Sequence, residues 1–112
     1  MIQIQIKKDP DSLHVTLRLS GHANTAPSGQ DTVCAAVSAL VYGYAKEISL
    51  LDSEKFTIRR VVVGDTPGEA LVETVCANER TYRRVLYNLA PLERSLEMIE
   101  ETNREAVQIH YT

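Results

Sequence analysis

Residues 21–40 read GHANTAPSGQDTVCAAVSAL, and two different periodicities meet inside this stretch. Just upstream, Leu13, Val15, Leu17 and Leu19 alternate with His14, Thr16, Arg18 and Ser20, the two-residue period of a strand with one buried face. Downstream, Val33, Ala36, Val37, Leu40, Val41, Tyr44, Ile48 and Leu51 recur at steps of three, four and seven, which predicts an amphipathic helix over 32–51. Between them Ala23, Asn24, Thr25, Ala26, Pro27, Ser28, Gly29 and Gln30 show no period and read as a loop. The chain therefore leaves a strand past Gly21, carries His22 at the exit, and enters a helix with Cys34 in its first turn.

Working outward, Ile2, Ile4 and Ile6 alternate with Gln3, Gln5 and Lys7, and Asp9-Pro10-Asp11-Ser12 supplies turn chemistry, so the first two strands form a hairpin. Residues 56–63 and 70–76 are β-rich and flank Gly64-Asp65-Thr66-Pro67-Gly68, which predicts a second hairpin. Tyr82, Val85, Leu86, Leu89, Leu96 and Ile99 mark a second helix over 80–101, with Pro91 predicting a kink or restart. Residues 106–112 alternate again and read as a closing strand that exposes His110. The element order is ββαββαβ. Since each helix offers one apolar stripe, the expected architecture is an α+β two-layer sandwich, one sheet with two helices packed on it. Strand order stays open.

The 112 residues fit a single domain spanning 1–112 with a modest core. Apolar residues make up 44% and charged residues 24%, ordinary usage that points away from disorder. No apolar run approaches the roughly 20 residues of a membrane span, and the alternating N-terminus is unlike a secretory signal, so no membrane partner is expected. Two distant cysteines give neither a disulfide framework nor metal-ligand spacing, which favours a cytoplasmic setting and no metal. A formal charge of −3 makes no case for direct nucleic-acid binding, and the pairs Arg59-Arg60 and Arg83-Arg84 read as solvated surface.

The chemistry concentrates at the strand-to-helix junction. A thiol attacks as the thiolate, and a helix N-terminus and a neighbouring imidazole both favour that form. Asp31 can cap the helix, placing Cys34 where the dipole is positive; it can equally orient the imidazole. Gly21 permits a sharp exit or a close backbone approach. Ser38, four residues after Cys34, shares its side of the helix, and both are expected on a face other than the apolar stripe. Cys76, within a strand, reads as a packing residue, and His14 as an outer-face strand residue.

These residues, GHA, a loop holding Gly29, then Asp31 and VCAAVSAL, closely resemble the signature of the ribosomal-processing cysteine protease family, Prp. The resemblance implies an endopeptidase that removes an N-terminal extension from a large-subunit ribosomal protein precursor during ribosome maturation. It implies Cys34 and His22 as the catalytic pair, 23–30 as the substrate loop, no cofactor, and a homodimer. Thr32 stands where that family often has isoleucine, and the loop carries Pro27. The contrasting reading is a non-catalytic, ribosome-associated binding module in which His22 and Cys34 only shape a pocket. A thiol redox protein fits less well, since no resolving cysteine lies nearby.

Overall fold

The computed structural model describes residues 1–21, 32–53, 55–66 and 69–112, with backbone alone over 59–66. The order is β1 Ile2–Asp9, β2 His14–Ser20, α1 Thr32–Leu51, β3 Ile58–Thr66, β4 Glu69–Cys76, α2 Glu79–Thr102 and β5 Val107–Tyr111, the expected ββαββαβ. The strands form a five-stranded sheet ordered β3-β4-β2-β1-β5. Both predicted hairpins are present, with Ile4 opposite Leu19 and Ile6 opposite Leu17 in the first and Val63 opposite Val72 in the second. β2 joins the hairpins by pairing antiparallel with β4. β5 lies parallel to β1, with Ile2 opposite Val107.

Period-two alternation puts Ile2, Ile4, Ile6, Val15, Leu17, Val72 and Cys76 on one buried face. That face meets the apolar stripes of α1 (Val37, Val41, Tyr44, Ala45, Ile48) and α2 (Tyr82, Val85, Leu89, Leu92, Leu96). Ile4, Val37 and Leu89 are fully buried, and each contributes about 2 kcal/mol of transfer free energy. α1 is long and apolar enough, by length and composition alone, to cross a membrane, contrary to the expectation that no run approached that limit. Its buried stripe identifies a core helix, because those side chains are occupied by the sheet and α2.

Several details differ from the sequence reading. Leu13 belongs to the β1–β2 turn, not to the strand: its φ is 58°, and its carbonyl accepts a hydrogen bond from Cys76 N at 3.0 Å. Ala36 is exposed, and Ala45 takes its place in the stripe. Pro91 brings no restart, since α2 runs unbroken from Glu79 to Thr102. Proline removes the donor for the carbonyl four residues earlier; here that is Tyr87, at an exposed position, where water can satisfy it. Glu93, which the periodicity gave no reason to bury, is 5% exposed; Lys8 Nζ reaches its Oε1 at 2.8 Å.

One end of the sheet is densely fastened. Asp52 Oδ1 accepts from Ile58 N at 3.2 Å and Thr81 Oγ1 from Thr57 N at 3.2 Å. Asn78 caps α2 by accepting from Thr81 N at 2.8 Å, satisfying one of the donors that a helix start leaves over. These contacts gather the last turn of α1, the start of β3, the end of β4 and the first turn of α2. At ~1.5 Å per residue, α1 then spans the layer, so its first turn lies at the opposite end. There β2 stops at Gly21, and Ala106, just past α2, accepts from Ile2 N at 2.7 Å.

Candidate active site

Cys34 is the third residue of α1, half-buried and packed against the margin of the core. It does not lie on a separate face as the sequence suggested. Seven-residue steps carry the stripe from Ile48 through Val41 to Cys34, so the thiol sits where the stripe runs off the end of the layer. Ser38 is half-buried one turn further on and does share this side of the helix. A residue so placed is held by packing yet stays half-exposed, which suits a nucleophile better than full burial does.

Gly21 fixes the approach to this end. Its φ is +90°, and a Cβ there would collide with the Met1 carbonyl oxygen. The chain thus leaves β2 through a conformation and a close backbone approach that only glycine supports. Gly21 and Thr32 are the described residues on either side of the segment 22–31. His22, Asp31 and the substrate loop 23–30 lie outside the described residues, as does the question of whether Asp31 caps α1 or orients an imidazole.

Cys76 provides the contrast. It is 2% exposed at the end of β4, and burial pushes its thiol up to about 11, so near neutrality it stays protonated and shielded. The prediction of a packing cysteine holds. His110 is exposed on β5, where its Nε2 lies 2.7 Å from Gln3 Oε1. His14 is half-buried at the start of β2 and pairs with Val75, at the fastened end of the sheet and far from Cys34. Among the described residues no group of histidines, cysteines and carboxylates could hold a metal ion. Burial also raises the Tyr44 phenol well above its ordinary range. Its hydroxyl and Thr74 Oγ1 are both buried in the core, a polar element that alternation did not signal.

A family model described as cysteine protease Prp matches residues 1–108. The chain belongs to the cysteine protease Prp family. It is similar to the ribosomal processing cysteine protease Prp of Staphylococcus aureus (strain Mu50 / ATCC 700699), 28% identical over 111 residues, which is 99% of each chain. It is also similar to the protein of that name from Bacillus subtilis (strain 168), 41% identical over 51 residues, 46% of each. Among solved structures, the essential ribosomal processing protease Prp from S. aureus, crystallised in complex with a covalently linked product peptide, superposes with a TM-score of 0.77 at 26% identity over the whole of both chains. The same protease in complex with a substrate peptide gives 0.68 at 26%, again over the whole of both. The two-layer fold and the assignment to cysteine protease chemistry are thereby established for this Prp family member.

Proposed function

We propose that this chain is an endopeptidase that removes the N-terminal extension of a large-subunit ribosomal protein precursor during ribosome maturation, with Cys34 as nucleophile and His22 as its base. One observation carries the reading: the match runs the full length of a protein named a ribosomal processing cysteine protease, and on this fold the half-exposed thiol is the one that opens α1.

In the proposed reaction His22 takes the thiol proton and the Cys34 sulfur forms a bond to the scissile carbonyl carbon, whose oxygen becomes an oxyanion. The first-turn backbone N–H groups of α1, which have no intrahelical acceptor, are suited to hold that oxyanion. Collapse of the intermediate breaks the C–N bond as His22 returns the proton to the departing amine, leaving an acyl-enzyme. Water, deprotonated by His22, then attacks the thioester and regenerates Cys34. No cofactor is needed, because the cysteine and histidine supply both nucleophile and proton transfer. Residues 23–30 are assigned to substrate contact, and Asp31 to capping or orientation. Two further parts of the proposal are a homodimer, for which the edge strands β3 and β5 give a physical reason, and a cytoplasmic location, in keeping with a chain that has only two cysteines, far apart in sequence.

The test is incubation of the purified protein with the organism's own ribosomal protein precursor, read by intact mass. A single defined N-terminal truncation is expected. An unchanged precursor that co-purifies with the protein would instead identify a binding module.

A further inference from the structure

The outer face of α2 carries a surface that peptide hydrolysis does not use. Phe56, Glu79, Arg80, Arg83, Arg84 and Tyr87 line an open cavity of about 430 Å³. The Arg80 and Arg84 guanidinium carbons lie 5.4 and 5.9 Å from the centroid of the Phe56 ring. Neither arginine has a carboxylate partner among the described residues. Arg83 lies 3.8 Å from Glu79, with both side chains at least three-quarters in solvent or close to it, at 74% and 78% exposure, so that pair leaves the Arg83 charge largely available. Tyr87, one turn on from Arg83 and Arg84, is 74% exposed, so its ring is accessible for stacking beside the arginines.

We infer that this cavity is a docking surface for a single-stranded RNA segment, with Arg80, Arg83 and Arg84 on phosphates and Tyr87 stacking on a base. Guanidinium groups bind carboxylates and phosphates alike, and what favours RNA over an acidic peptide is the ring: exposed aromatic rings interleaved with arginine form the stacking platforms on which single-stranded bases lie. Phe56 holds two of the guanidiniums in place, which lowers the entropy lost on binding. The whole-chain charge of −3 concealed this, because three of twelve basic residues stand within five positions. The choice of RNA over DNA rests on the proposed ribosomal substrate. The surface itself does not: it lies on the N-terminal half of α2, at the fastened end and away from Cys34, so it would tether the enzyme near its substrate without entering the cleft.

The experiment is fluorescence anisotropy of a labelled oligouridylate against the full chain, with polyglutamate as a second probe, and precursor cleavage measured in parallel. Binding is expected to weaken with salt, with a log–log slope of about −2 for three neutralised phosphates. Arg80→Ala/Arg84→Ala and Tyr87→Ala are each expected to weaken it about ten-fold, while Tyr87→Phe retains it and all variants keep wild-type melting and peptide cleavage. Equal RNA affinity in wild type and in the double arginine variant would overturn the proposal. So would tighter binding of polyglutamate than of RNA, which would identify an acidic protein partner. Loss of cleavage in the Tyr87 and arginine variants would place the surface in the protease site and overturn the separation argued here.

Discussion

The two ends of the sheet are built to different standards, and each holds one cysteine. At the end where α1 stops and α2 starts, Asp52, Asn78 and Thr81 fasten three backbone donors at the start of β3 and in the first turn of α2, and Cys76 is sealed among apolar neighbours. At the other end α1 begins, β2 stops at a glycine pressed on Met1, and Cys34 is half-open. Two thiols in one small core thus meet opposite fates through placement alone. The fastened end supplies the rigidity, and the open end supplies access.

The largest expected effect breaks the open end chemically. Cys34→Ala should lower precursor cleavage by at least about a thousand-fold with little change in melting temperature, and His22→Ala should do the same; wild-type cleavage by either variant would remove it from the mechanism. Cys76→Ala should stay active.

Next comes the backbone at that end. Gly21→Ala meets both a collision and a positive φ, so it should cost about 2–4 kcal/mol in urea unfolding. Gly43→Ala, in the middle of α1 with open space around its Cβ position, should gain about 0.5–1 kcal/mol. If the two substitutions behaved alike, the close approach at Gly21 would not be a constraint.

The fastened end is sharpened by Asn78→Ala, expected to cost about 1 kcal/mol, while Asn78→Asp should keep most of it. Alkaline titration probes the same end through Cys76. Its folded pKa stands above the unfolded value, so the unfolded chain releases the proton first, and stability should fall as pH rises from 9.0 toward about 11. Cys76→Ala should flatten that decline. Iodoacetamide near pH 8 should accordingly label Cys34 and reach Cys76 only after denaturation.

The smallest effect lies at neither end. The Tyr111 hydroxyl donates to Glu97 Oε1 at 2.7 Å and Arg94 Nη1 lies 2.8 Å from Oε2; these two contacts, the tyrosine first, hold the Glu97 carboxyl below its ordinary 4.5. The stability they give is present above 4.5 and lost as pH falls through the lowered folded value. Glu97→Gln should reduce the acid sensitivity of melting slightly, and an unchanged acid limb would show that this exposed cluster contributes nothing measurable.

Much of this was legible in the sequence because period two and period 3.6 are local. Both hairpins and both helices are readable from side-chain alternation, and the places of Gly21 at the end of β2 and Cys34 in the first turn of α1 from the point where the two periods meet. What was not legible depends on partners far apart in the chain. Lys8 and Glu93 pair across 85 positions, and no local pattern announces a buried carboxylate. Leu13 looks like the first member of β2 because it is apolar and in phase with the strand, whereas its left-handed backbone belongs to the turn. The placement of Cys34 on the stripe is legible in the seven-residue spacing 34, 41, 48, which makes the thiol a helix position as well as a reactive group. Strand order had no local signal, since β1 takes one neighbour from the adjacent segment and the other from the far end of the chain.

That last pairing has a consequence for how the protein is made. β1 leaves the ribosome ahead of β2, α1, β3, β4 and α2, yet its second partner is β5, more than a hundred positions later. Until that segment emerges, β1 presents an open hydrogen-bonding edge, and closing such a distant contact is slow. Both cysteines are synthesised, and the α1 helix can already form, before the sheet closes. A nascent chain paused before Val107 should therefore be the species most exposed to strand addition from other chains, and the one a holding chaperone would have most reason to meet.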